Sequence, residues 1–390
     1  MEHVRHDRPA GSAHVGMPGA AAYAVAGLVH LVTGALFTGS LLLIVVGFHT
    51  VTQPLIGFVL LVLALAMRPR VGRLDPDLPT LRPSDAPALF RLLDEVADAS
   101  GVRHVDAVQF STAFSVTVTR YGIRRRRCLV LGLPLWVACP PQQRVAAVAQ
   151  ALARTAPHDI RSGAFVGMAL ESLTAGLRTL RANGDAYIEW TNDPTAWRAG
   201  DVAGGARRFN ARARSSEWLL WIPRTAMTAT ARLLLRLTLP ATRNSQLEAD
   251  DATARTASSE AAIAALNDQR LARAIGVEMH RLVIETKTLS RKRPATASQP
   301  DFWEAIACHA ALLRETRDSD RPTGAEAPAP ASDAGRDPFD ALRVTRLADH
   351  PRHPATVSLD EAGLSRIADE LRTTGQALLA KMMRDGAVPA

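Results

Sequence analysis

Cysteine is scarce in this chain of 390 residues: there are 3, Cys128, Cys139 and Cys308, and no two stand in C-x-x-C spacing. An odd, scattered set makes neither a disulfide framework nor a thiolate zinc site, and it suits a reducing compartment. Aromatic residues are also few, at 5%. That argues against a single-strand nucleic-acid binder built on repeated stacking platforms, so no nucleic-acid partner is expected. The widest gap is one of charge: from Pro9 through Met67 the sequence holds no Asp, Glu, Lys or Arg. What the chain does have is 47% apolar residues, enough for a sizeable core and too many for disorder as a dominant state. It also carries 46 Lys plus Arg against 38 Asp plus Glu, a net charge of +8 supplied mainly by arginine. By charge alone such a surface suits anionic lipid as well as nucleic acid.

The uncharged stretch contains two apolar runs. Ala20 to Phe48 is long enough to cross a hydrocarbon layer of ~30 Å, which takes about 20 helical residues. Val51 to Met67 lies at the short end of the spanning range, with Pro54 near its start, and His49, Thr50, Thr52 and Gln53 make the turn between them. A cleaved secretory signal has an apolar core of about 7 to 15 residues and no second run directly behind it. The pattern therefore predicts a disordered N-terminus over 1–18 and a two-helix transmembrane hairpin over 19–68. Arg5 and Arg8 on one side and Arg68, Arg70 and Arg73 on the other place both ends in the cytoplasm. The soluble bulk is expected to face the cytoplasm from the cell membrane.

Beyond a Pro-rich connector, SDAPALFRLLDEVADASG reads as a helix capped by Ser84 or Asp85 and ended by Gly101. Two strands follow, Val108 to Thr119 and CLVLGLPLW, joined by YGIRRRR, whose Arg124 to Arg127 read as a solvated hairpin tip. Helical patterns then cover 141–156, 161–180, 217–240, 246–266 and 301–315. Arg224, Arg232 and Arg236 mark 217–240 as an interfacial or core-packed amphipathic helix, since each arginine near the bilayer centre costs about 2.5 to 3.5 kcal/mol. Residues 317–345 read as a flexible loop, because 317–340 is rich in Pro, Ala, Asp and Arg, and an amphipathic helix closes the chain within 346–390. The fold class expected is mostly α with a small antiparallel or mixed sheet, the main domain running over 74–316.

One constellation resembles a family. A membrane hairpin, the phrase YGIRRRRCLVLGLPLW, a helix at 144–156, an His-Asp pair and a helix opening on EADDATA together resemble the HtpX-like membrane zinc metallopeptidases, relatives of the CAAX-prenyl endopeptidases. The resemblance spans roughly residues 20 to 380 and is densest over 119–165. It implies a gluzincin-like domain in which a strand ending in GLPL leads to a helix bearing H-E-x-x-H. The two histidines hold zinc and the Glu between them acts as general base. The resemblance further implies a third ligand, a Glu, in a later S-R-x-x-E-x-x-A-D pattern, whose Asp orients a ligand histidine.

The chemical positions of that pattern are vacant here. Aligned on GLPLW, the first motif falls on Gln150, Ala151, Leu152, Ala153 and Arg154. The later pattern falls on TRNSQLEAD, with Gln246 where the ligand Glu belongs and Ala249 and Asp250 at the A-D pair. Neutral amides are poor zinc ligands. A dication ~4 Å from the Arg154 guanidinium at an effective dielectric near 20 is repelled by on the order of 8 kcal/mol, and Arg does not shed its proton. No cofactor is expected, and no catalytic residue.

Two weaker readings remain. An active zinc endopeptidase with rearranged ligands would draw on Glu248, reached by a two-residue shift of the alignment, and on Asp250, His158 and Asp159. An anionic-lipid-binding protein would use Arg224, Arg232 and Arg236. The His158-Asp159 pair reads more simply as a loop His and a helix cap, Cys308 and His309 as a packed pair, and Ser111, Ser115 and Ser245 lack a nucleophile elbow. The leading expectation is a pseudo-peptidase that binds, scaffolds or regulates membrane polypeptides or an active homologous peptidase. In it Arg154 points into the old site and pairs with Asp250.

Overall fold

A computed structural model describes residues 17–47, 52–66, 72–122, 124–155, 165–177, 202–289, 302–319 and 338–385. The chain divides into two compact units, one of residues 1–70 with 160–243 and one of 71–159 with 244–390.

In the first unit, α1 (Met17–Val46) and α2 (Thr52–Ala66) lie side by side. They come close at Gly57, where a side-chain carbon would stand 3.0 Å from the Ser40 carbonyl oxygen. Within α1 the apolar span Ala20–Val46 has 27 residues, about 40 Å of helix, and is the one helix among the described residues long and apolar enough to cross a membrane. The 15 residues of α2 give about 22 Å. Leu31, Leu42, Val45, Leu55 and Phe58 on these helices are exposed. Helix α6 (Phe165–Leu177) and the part of α7 (Val202–Ala257) up to Arg243 complete the unit, where Ala26 and Val29 pack with Ala169, Leu173, Met227 and Leu234. Arg224, Arg232 and Arg236 are exposed on α7.

The second unit is built on a mixed sheet of β1 (Thr80–Leu81), β2 (Ala107–Ser111), β3 (Val116–Tyr121) and β4 (Arg126–Gly132), in the order β1-β2-β4-β3. The single strand expected over Val108 to Thr119 is two. β2 runs parallel to β4, with Phe110 opposite Leu131, and β3 returns antiparallel on the other side, with Val118 opposite Leu129. The reversal is possible because Gly132 lets the chain approach closely: a Cβ there would sit 1.8 Å from the Ala113 carbonyl oxygen. The GLPLW phrase also departs from expectation. Pro134 in the first turn starts a short helix, α4 (Leu133–Ala138), so the strand stops at Gly132.

Helix α3 (Pro87–Ala99) lays Leu89, Leu93 and Val96 on the sheet, together with Val145, Val148 and Leu152 of α5 (Pro141–Ala153) and Leu378 of α12 (Glu361–Asp385). The α3 cap is not Ser84 or Asp85. Asp85 instead accepts from the Arg82 amide, and Glu370 of α12 reaches across to accept from the amides of Ala88 (2.8 Å) and Leu89 (3.0 Å). The helix foreseen over Gln246 to Leu266 is the end of α7 and a separate α8 (Ser259–Asp268), broken at Ser258, which has φ +99°. Straps hold the break. Gln142 of α5 donates to the carbonyls of Ala257 (2.7 Å) and Val357 (2.8 Å), and Ser259 Oγ accepts from the His353 amide at 2.9 Å.

Helix α9 (Leu271–Leu289), which the sequence reading passed over, packs with α10 (Phe302–Ser319) through Ile275, Met279, Ile306 and Ala310. Part of the segment expected as a flexible loop is helical: α11 (Pro338–Asp349) starts on a proline and docks on α7 and α8 through Leu347 and Val344. Apolar residues three apart in PFDALRVTRLAD are enough for a helix once a partner surface covers them.

Candidate functional site

The end of α5, the last turns of α7 and α11 meet around one buried carboxylate. Asp250 is 2% exposed, and the Arg343 side chain that faces it is 4% exposed. The contact is bidentate, Nε to Oδ2 and Nη2 to Oδ1, both at 2.7 Å. From the other side Gln150 donates its amide to the same Oδ1, also at 2.7 Å. Arg343 completes its own bonding with Asp340 at 3.1 Å, one turn earlier on α11, and next to the cluster Arg346 meets Asp251 at 2.7 Å. Burial works against the charge of Arg343, but the hydrogen bonds and charges of Asp250 and Asp340 outweigh it and raise its pKa. An ion pair this deep is stable only because both partners are bonded on every side.

Asp250 does receive a guanidinium, but from Arg343 and not from Arg154. Arg154 is the C-cap residue of α5, where the helix ends three residues sooner than expected, and its side chain is exposed with no ion pair among the described residues. It still stands in the field of the cluster. Desolvation by neighbouring protein atoms and then repulsion from Arg343 lower its pKa, against the pull of Asp250 and Asp340. A helix that stops at Ala153 lets the last side chain swing outward, and the space in front of Asp250 is already taken.

The other candidate positions divide. Ala151 is buried in the main core, so its methyl packs and does not face the cluster from solvent. Gln246 is half-buried one turn before Asp250 on α7, and Glu248 is exposed. His158 and Asp159 lie outside the described residues. Among the described residues no three His, Cys, Asp or Glu side chains gather as a metal would need. Asp340 and Arg343 were missed because they fall in the segment read as a loop, and Arg346 because it stands just past that segment, ahead of the closing helix. The available signal was the D-x-x-R-x-x-R spacing, which puts all three on one helical face behind a proline.

A second feature lies in the same unit. A cavity of about 890 Å³ is lined by Leu133, Trp136, Phe302, Trp303, Leu371 and Leu379 among others. Trp303 is fixed by its indole donating to the Gly375 carbonyl at 3.1 Å, and the Arg144 guanidinium lies 5.4 Å over the Trp136 ring. Strand β3 is an edge of the sheet, with Thr117 and Thr119 exposed. Compared with family models, with curated proteins and with solved structures, the chain matches none.

Proposed function

We propose that the chain is a membrane-anchored, metallopeptidase-like protein that has given up zinc and hydrolysis and binds membrane polypeptides without cutting them. In this reading α1 and α2 form the membrane hairpin with both ends in the cytoplasm. The observation that carries the proposal is the closed cluster at Asp250. On the alignment with the HtpX-like family, Gln150 stands where the first zinc histidine would be, and Asp250 is the carboxylate that would orient a ligand. Gln150 bonds Asp250, which supports the alignment, and Arg343 supplies the positive charge that a metal would otherwise provide. Ala151, buried in the core where the family carries its glutamate, has no group that could take a proton from a water.

Two surfaces remain for a polypeptide. The edge strand β3 offers unpaired backbone groups to an extended chain, and the aromatic cavity accepts apolar side chains. The test uses the full chain purified in detergent. Elemental analysis is expected to find well under one zinc per chain, and a photo-crosslinking residue at Thr117 is expected to capture an unfolded membrane polypeptide that stays intact. One tightly held zinc per chain with chelator-sensitive cleavage refutes the proposal.

A further inference from the structure

The basic turn between β3 and β4 is more than a solvated tip. Arg124, Arg125 and Arg126 are exposed, and with Arg103, His104, Asp106 and Arg127 they line a concave surface of about 560 Å³. Arg127 is buried and bonds the carbonyls of Arg103 (2.8 Å) and Thr155 (3.2 Å), so it holds the Arg103 loop beside the turn. Acidic groups nearby are already engaged: Asp106 accepts from the Arg127 amide, and Asp94 and Asp98 face His104. Arg103, Arg124, Arg125 and Arg126 make no ion pair among the described residues. Cross-strand pairing adds to the crowding, because Arg120 lies directly opposite Arg127, an arrangement of like charges that destabilises a sheet. Arg125 adopts φ +49°, which a non-glycine residue takes up only against strain. A fold that keeps these charges together and partly unneutralised is set up for an anion.

The chain path says which anion. The Gly122 amide at the turn donates to the Gly72 carbonyl at 2.9 Å, and the fit is so close that a Cβ on Gly72 would stand 2.0 Å from the Arg120 carbonyl oxygen. Gly72 follows the end of α2 at Ala66 by six residues, which span at most about 20 Å however the two units are arranged. Arg68, Arg70 and Arg73 lie along the same short stretch. The covalent chain alone therefore limits how far the arginine turn can lie from the end of α2.

We infer that the Arg103 and Arg124–Arg127 surface binds the phosphate headgroups of anionic lipid in the membrane that holds α1. This rests on the membrane reading of α1 and α2 and not on the loss of zinc, and alkaline extraction of the full chain from membranes tests that anchor separately. The test of the site is native mass spectrometry of the full chain in detergent, titrated with dioctanoyl-phosphatidylglycerol or dioctanoyl-phosphatidylcholine. The anionic phosphatidylglycerol is expected to bind more tightly than the zwitterionic phosphatidylcholine. Arg124→Ser, Arg125→Gly and Arg126→Ser together should weaken it by about a hundredfold, at roughly fivefold per arginine. Arg→Lys at the same three positions is expected to keep most of the binding, which separates lost charge from lost folding. Equal binding of the two lipids, or phosphatidylglycerol binding untouched by the triple substitution, overturns the inference. So does a stronger, arginine-dependent preference for inorganic phosphate or for a single-stranded oligonucleotide at physiological salt.

Discussion

Arg343→Met removes the guanidinium and leaves Asp250, at 2% exposure, with Gln150 as its one remaining donor. Breaking a buried pair from one side costs about 3 to 5 kcal/mol, because the surviving charge is neither hydrated nor compensated. In a unit of this size each kcal/mol moves the thermal midpoint by about 2 to 4 °C, so a fall of roughly 6 to 20 °C is expected by differential scanning fluorimetry in detergent. Hydrogen exchange locates the effect. Amides of α11 should lose protection first, since Arg343 and Arg346 join Leu347 in docking that helix. Asp250→Asn should cost less, because Arg343 keeps Asp340 at 3.1 Å. Replacing both partners, Asp250→Leu with Arg343→Met, should recover most of the loss, as neither charge then remains buried and the half-buried Gln150 amide can turn to water. Arg154→Met is expected to stay within about 0.5 kcal/mol of the parent. Equal losses from Arg154→Met and Arg343→Met, or a double variant as weak as the sum of its parts, would refute the assignment of Arg343 as the partner of Asp250.

Thiol chemistry should separate the three cysteines. Burial pushes Cys128 up to about 11, and burial with the nearby Asp268 carboxylate pushes Cys139 up to about 12, whereas Cys308 is exposed, so iodoacetamide at pH 8 is expected to label Cys308 alone by peptide mass spectrometry. Glu370→Ala takes the acceptor from two α3 amides and should destabilise the protein by about 1 to 2 kcal/mol, read as a lowered melting temperature with exchange concentrated at Ala88 and Leu89. His104, hydrogen-bonded to Asp98, has its pKa raised above the ordinary 6.5. Its stabilising contribution is therefore complete below that value and is lost as pH rises through the raised folded value. Ring-proton titration by NMR should show the upward shift, and Asp98→Asn should reduce it, leaving the weaker pull of Asp94.

Hydropathy alone made the N-terminal helix legible, since an uncharged stretch longer than a bilayer is thick has few other uses. Helical periodicity did the same for α3, α5, α10 and α12, whose apolar faces are written into local spacing. The sheet was harder to read. A continuous run of Val, Thr and Phe does not show where it reverses, and the break between β2 and β3 depends on Gly132 meeting the Ala113 carbonyl from the far side of the hairpin. The α3 cap was out of reach for the same reason: Glu370 lies some 280 residues away, and a local rule names only local candidates.

The candidate site follows that division. Residue types alone show that Gln150, Ala151, Arg154 and Gln246 are neither histidine nor glutamate, which is what the proposed loss of zinc rests on. Charge compensation gave the expectation that an arginine pairs with Asp250, argued from Arg154. Which arginine does so was decided by packing. Helix α5 stops at Ala153 and releases Arg154 to solvent, while α11, a segment with too little local signal to stand out, acquires a covered face only when α7 and α8 are beside it. Local sequence sets what a side chain is able to do, and its partner is set by whichever distant element fills the space, because burial energy is earned only after folding brings the surfaces together.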